Sequence, residues 1–335
     1  MNRDMNKWLV DITGEHKKPM PILSYPALGF MDITVKELVT TAQNLADAMC
    51  IIAKKTDSGA AVSIMDLSVE AECFGAKVNF FENEVPAVVG RLINDMDEAE
   101  ALAIPEVGSG RSGICIEAIR LASGKIDDRP VLAGVIGPFS LAGRLLDVTE
   151  IMYDCFDEPE KVHLVMEKCT AFLIGYCRAM KAAGADGVII AEPLTGLLSP
   201  DMAEEFSEGY VRKLVGELKA DDFAVIYHNC GGGVKSMLAS ILRINASAYH
   251  FGNAVDMAEI LEMMPADTIA MGNIDPVSMF CNAKPENMKE EVTRILEKCS
   301  IYPGFVLSSG CDIPHTASWE NINAFFAAAD SYFNK

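Results

Sequence analysis

The chain has 335 residues, half of them apolar, a mean hydropathy of +0.19 and 23% charged residues, which excludes disorder and allows one large α/β core. Acidic side chains number 48 against 28 basic ones, a formal charge of −20, and no Lys/Arg run interrupts the acidity, so nucleic acid is excluded as an expected partner. Met1-Asn-Arg-Asp-Met-Asn lacks the apolar core of a signal peptide, and no apolar stretch approaches the roughly 18 residues of a membrane span, so a cytoplasmic protein with no membrane contact is expected.

Its 10 cysteines contain no CxxC pair and are expected to be reduced thiols; together with 18 methionines they suggest an anaerobic setting. Residues 1–20 are expected to form an N-terminal extension, and 21–335 one catalytic domain.

Eight short apolar runs bounded by turn residues are predicted strands: 21–25, 60–66, 130–137, 187–193, 223–228, 247–252, 268–274 and 304–310. Runs such as Val188-Ile-Ile-Ala191 are apolar without alternation, the pattern of a parallel strand buried on both faces. Between them lie helical patterns. Residues 34–54 place Val35, Leu38, Val39, Leu45 and Met49 at helical spacing, and 161–183 continue the period to Gly184, a C-cap. Ser199-Pro200-Asp201 has the chemistry of an N-cap followed by proline in the first turn, and a last helix is predicted over 318–333.

Strand alternating with helix gives βαβ units, and eight such strands predict a (β/α)8 TIM barrel with its active site at the C-terminal strand ends. Residues 67–129 exceed one crossover and are expected to form a helical excursion after the second strand. Within it, Gly108-Ser-Gly110-Arg-Ser-Gly113 matches a dinucleotide fingerprint in letters alone. No strand precedes it, so it is expected to be a loop that starts a helix.

The strand ends carry the chemistry. His228-x-Cys230 follows the fifth strand and Cys311 the eighth, so one imidazole and two thiols stand on one face of the barrel. That set suits zinc with one coordination position open; the alternative is a buried cysteine beside a hydrogen-bonded histidine. The glycines Gly231, Gly232 and Gly233 would let the backbone approach a ligand or adopt positive φ. Glu192, at the fourth strand end, is a fourth metal ligand, a base or a helix-capping carboxylate. Asn273 ends the seventh strand, where it could bond substrate, and Asp312 follows Cys311. His250, Asp66 and Tyr25 occupy further strand tips, where scaffold and supporting roles are expected. His16 and His163 are expected in solvent, and the remaining cysteines as small packed hydrophobes.

Taken together, Ser24-Tyr25-Pro26, Gly134-Val-Ile-Gly137-Pro138, Ala191-Glu192-Pro193, His228-Asn229-Cys230-Gly231, Gly272-Asn273-Ile274 and Ser309-Gly310-Cys311-Asp312-Ile313-Pro314 resemble the uroporphyrinogen decarboxylase superfamily. Within it the chain resembles the corrinoid-dependent branch that includes methylcobamide:coenzyme M methyltransferases. The resemblance covers most of the chain and implies a (β/α)8 barrel. The His-x-Cys…Cys set is its specific part, carried by the methyltransferases and not by the decarboxylases. The decarboxylases' arginine-rich segment that grips porphyrinogen carboxylates is missing from 21–30.

The resemblance implies Zn2+ held by His228, Cys230 and Cys311, and Glu192, Asn273 and Asp312 as catalytic candidates. Tyr25, Gly231, Gly232 and His250 are the candidate contacts to the methylcobamide. No D-x-H-x-x-G cobalt-ligand motif occurs in the chain, so the corrinoid is expected on a separate corrinoid protein, with a small thiol as acceptor. Where the coenzyme M enzymes have a Thr-Gln-Thr-like segment and Asn after Cys-Gly, this chain has Ser24-Tyr25-Pro26 and Gly232, which leaves the acceptor open among coenzyme M, other thiols and a folate. A decarboxylase and a non-catalytic corrinoid-binding protein are the alternatives.

Overall fold

The computed structural model describes residues 3–14 and 17–334. Its main sheet holds seven parallel strands in the order β1 (Ala61–Val62), β4 (Val131–Ile136), β5 (Gly187–Ala191), β6 (Ala224–Asn229), β7 (Ala248–Phe251), β8 (Ala270–Ile274) and β9 (Phe305–Ser309). β2 (Val78–Asn79) and β3 (Ala87–Val88) form a separate antiparallel ribbon in the excursion. These seven strands coincide with seven of the eight predicted runs, and helices separate them as a parallel crossover requires.

The eighth stave differs. Residues 19–24 lie between β9 and β1 and bond to both, yet they are not a strand. The Met20 amide donates to the Leu307 carbonyl at 2.9 Å and the Gly59 amide to the Pro19 carbonyl at 2.9 Å. Ser24 Oγ donates to the Val62 carbonyl, and the Ile22 amide to Ser309 Oγ at 3.0 Å. Pro19 and Pro21 have no amide hydrogen, so a regular ladder cannot form there. Side-chain hydroxyls complete the closure of the barrel in its place.

The residues before this stave pack closely. Asp4 caps the helix Met5–Thr13 by accepting from the Lys7 amide at 2.9 Å. Met5, Leu9 and Ile12, one helical face, join Val62, Leu132, Ile189, Ile226, Ala248, Met271 and Val306 in a single apolar cluster. That cluster is the barrel interior, and the helix closes its N-terminal end, with the Trp8 indole donating to the Gly59 carbonyl at 3.0 Å. A larger apolar cluster fills the layer between the strands and the outer helices.

Other expectations meet particular outcomes. The predicted helix over 34–54 is two, Val35–Val39 and Ala42–Lys55, broken at Thr40-Thr41. Ser199 caps its helix by accepting from the Met202 amide, and the last helix, Trp319–Phe333, starts behind Ser318. The glycine-rich 108–113 segment leads into the helix Gly110–Ser123. All 10 cysteines are free. Among the described residues, no helix is long and apolar enough to cross a membrane.

Candidate metal centre

Strand periodicity builds the site. Side chains two apart share a face, so His228, His250 and Ser308 follow Ile226, Ala248 and Val306 onto the interior face at the C-terminal end of the barrel. The parallel register of β6 and β7 puts His228 directly beside His250. Cys230 leaves β6 on the next turn, and Cys311 leaves β9.

The three predicted ligands meet. Ligand atoms of His228, Cys230 and Cys311 all lie within 4.8 Å of one another, and His228 Nε2 stands 3.6 Å from Cys311 Sγ. Tetrahedral zinc bonds of about 2.1 Å to nitrogen and 2.3 Å to sulfur would separate those two atoms by about 3.6 Å. The donor chemistry and its spacing therefore fit zinc. The thiols already behave as a pair: the hydrogen bond from Cys311 holds the Cys230 thiol well below its ordinary range, and the same bond pushes Cys311 up. A thiol held low in pKa beside a second thiol and an imidazole nitrogen is a donor set that a borderline cation binds.

Loops brace this set at close quarters. Gly231 and Gly196 touch backbone to backbone, so that a Cβ on Gly231 would lie 2.4 Å from the Gly196 Cα. Asn229, fully buried, donates to Thr195 Oγ1 at 2.8 Å and accepts from the Gly231 amide at 2.9 Å, pinning the Cys230 turn to the segment after β5. Asn273 Nδ2 donates to the Gly252 and Val255 carbonyls at 3.0 and 2.8 Å. That holds the 252–255 loop, where Gly252 packs on Cys230 and Asn253 on Gly310.

The structure gives the other predicted residues these places. Among the described residues, positive φ is absent at Gly231, Gly232 and Gly233. Gly231 is small to admit Gly196, and a Cβ on Gly232 would meet open space. His250, expected in a supporting role from its strand tip and offered by the resemblance as a cofactor contact, has no exposed surface and sits behind His228, where burial and the nearby His228 hold it well below the ordinary histidine range. His163 stacks on Phe206 and bonds the Tyr210 hydroxyl at 2.7 Å. His16 lies outside the described residues.

Glu192 is committed elsewhere. Its carboxylate caps the helix Pro138–Leu146, accepting from the Phe139 and Ser140 amides at 2.9 Å each and from Ser140 Oγ at 2.7 Å. Gly137 makes the room, since a Cβ there would fall 2.2 Å from Glu192 Cγ. Burial outweighs these donors and raises the carboxyl to about 7. Asp312 Oδ2 accepts from the Met65 amide at 2.9 Å, while Oδ1 is buried without a partner among the described residues, and burial raises this carboxyl also to about 7. The buried Tyr25 hydroxyl likewise lacks a partner there. Asp66 pairs with Arg111, which also pairs with Glu72 and donates to Ser68 Oγ at 2.7 Å. Ser308 escaped sequence reasoning. The available signal was its place two residues beyond the interior-facing Val306, on the same barrel face.

Fold and site define a (β/α)-barrel protein with one imidazole and two thiols gathered at its mouth. The sequence profile of the uroporphyrinogen decarboxylase (URO-D) family matches residues 26–332, and the chain belongs to that family. It is 27% identical over 271 residues to the methylcobamide:CoM methyltransferase MtbA of Methanosarcina acetivorans, covering 80% of this chain and 78% of that one. It is also 27% identical over 280 residues to the uroporphyrinogen decarboxylase of Hydrogenovibrio crunogenus, covering 80% and 77%. The solved structure of a methyltransferase from Methanosarcina mazei has the same fold, with a TM-score of 0.87 at 22% identity over 98% of this chain and 99% of that one.

Proposed function

We propose that this chain is a zinc-dependent methyltransferase that moves a methyl group from a methylated corrinoid, carried by a separate protein, to a small thiol. Coenzyme M is the first acceptor to test. The observation that carries the reading is the convergence of His228, Cys230 and Cys311 at the barrel mouth. Identity does not separate the methyltransferase and decarboxylase relatives, at 27% each, so the site must. A decarboxylase needs cations for a polycarboxylate, yet 19–30 contains no arginine, and Arg111 is already matched by Asp66 and Glu72.

Zinc held by His228, Cys230 and Cys311 would supply a Lewis acid that lowers the pKa of an acceptor thiol, making a thiolate available at neutral pH. His228 would present Nε2, and the Cys230–Cys311 pair would give up the proton it shares. Asn273 positions the loop against Cys230. Asp312, held by the Met65 amide, would orient the segment that carries Cys311. In the reaction, the acceptor sulfur forms a bond to the methyl carbon as the cobalt–carbon bond breaks, and that bond's electron pair remains on cobalt. The thiol proton passes to solvent.

Metal analysis of the purified protein tests the reading. About one zinc per chain is expected, lost in the double variant Cys230→Ala/Cys311→Ala; a stoichiometry indifferent to both substitutions would sink it.

A further inference from the structure

We infer that His250 is a positioning residue that fixes which nitrogen of His228 faces the metal, through a one-way chain of hydrogen bonds ending on the Met20 carbonyl. The inference rests on the reading of His228 as a metal ligand, but the chain itself is a property of the metal-free protein.

The direction follows from what each atom is able to do. Ser308 Oγ lies 2.7 Å from the Met20 carbonyl oxygen, which only accepts, so the serine hydroxyl spends its single hydrogen there. Ser308 Oγ also lies 2.8 Å from His250 Nε2, and having no second hydrogen it must accept. His250 therefore carries its proton on Nε2, and in a neutral ring its Nδ1 is bare. That bare nitrogen stands 2.8 Å from His228 Nδ1, which must be the donor.

The other end of the chain gives the same answer independently. His228 Nδ1 is also 3.3 Å from the His250 carbonyl oxygen, again an atom that only accepts. Both ends thus require the proton of His228 on Nδ1. Its Nε2 is left with a lone pair, and that is the nitrogen 3.6 Å from Cys311 Sγ. In the opposite tautomer His228 would present an N–H to the cation. All three side chains of the relay are at most 2% exposed, which removes them from bulk solvent.

The relay also ties the ligand to the stave that closes the barrel. Met20 belongs to the proline-interrupted segment between β9 and β1, whose carbonyl is free to accept because no regular ladder claims it. A supporting hydrogen bond of this kind is worth about 10- to 100-fold in metal affinity.

Long-range 1H–15N NMR on histidine-labelled, metal-free protein tests the tautomers directly, and the chain has only five histidines to assign. The expected spectrum has His228 protonated on Nδ1 and His250 on Nε2. A His228 proton on Nε2, or a His250 proton on Nδ1, overturns the inference. In a second experiment, zinc affinity is measured by competition with a chromophoric chelator for the parent and for Ser308→Ala. The variant is expected to bind about 10- to 100-fold more weakly and to show a mixed His228 tautomer; affinity within twofold of the parent, with the His228 tautomer unchanged, refutes the relay. A parent that binds no zinc contradicts the proposed function alone, because the tautomer spectrum is read without metal.

Discussion

Replacing Glu192 with glutamine should change the way stability depends on pH. Burial raises this carboxyl from 4.5 to about 7, so between those values the folded protein holds a proton that the unfolded chain releases. Stability from this group is fully present below pH 4.5 and is lost as pH rises through 7. The whole rise corresponds to about 3 kcal/mol, most of which falls between pH 5 and pH 8. A glutamine side chain carries no charge at either pH. The parent should therefore lose about 2 to 3 kcal/mol more than Glu192→Gln between pH 5 and pH 8. Urea unfolding of both proteins at both pH values, followed by circular dichroism, gives this double difference, and the contributions of Glu70 and Asp312 cancel in it. A double difference below about 0.5 kcal/mol, or one of opposite sign, would show that the cap donors rather than burial set the charge state. The zinc content of Glu192→Gln should equal the parent's, because both carboxylate oxygens are already bonded to the helix Pro138–Leu146.

Other substitutions probe the surroundings of the site. Gly231→Ala forces a Cβ to within 2.4 Å of the Gly196 backbone, so a lower melting temperature and weaker zinc binding should appear together; an unaffected melt and affinity would show that the turn yields freely. Arg111→Met leaves Asp66 and Glu72 facing each other without a cation. It should cost about 3–5 kcal/mol in denaturant unfolding, and adding Asp66→Asn should recover part of it. A loss below about 1 kcal/mol would mean the carboxylates find water or protons instead.

Seven of the staves were legible because a parallel strand covered on both faces must be apolar throughout, as in Val188-Ile-Ile-Ala191. The stave 19–24 carries the same apolar signal, but Pro19 and Pro21 withdraw two donors and make it a segment fastened by side chains. The β2–β3 ribbon, two residues per strand, is too short to have a period. The helix Met5–Thr13 has a usable signature in Asp4 and in the spacing of Met5, Leu9 and Ile12. His228, Cys230 and Cys311 could be brought together because strand ends in a barrel share one rim. His250 and Ser308 could not be assigned, since their role depends on the register of β6, β7 and β9. Glu192 offered the same letter for a ligand and for a cap, and the neighbouring helix start at Pro138 decides where its carboxylate goes.

The central claim is tested most directly by following demethylation of methylcobalamin in the presence of coenzyme M, using chelator-treated protein before and after zinc is restored. The account predicts loss of the methyl–cobalt bond and formation of the thioether with zinc, and neither without it or in Cys311→Ala. Equal transfer by the zinc-free protein, or an intact methyl–cobalt bond in zinc-loaded protein whatever thiol is offered, would contradict it.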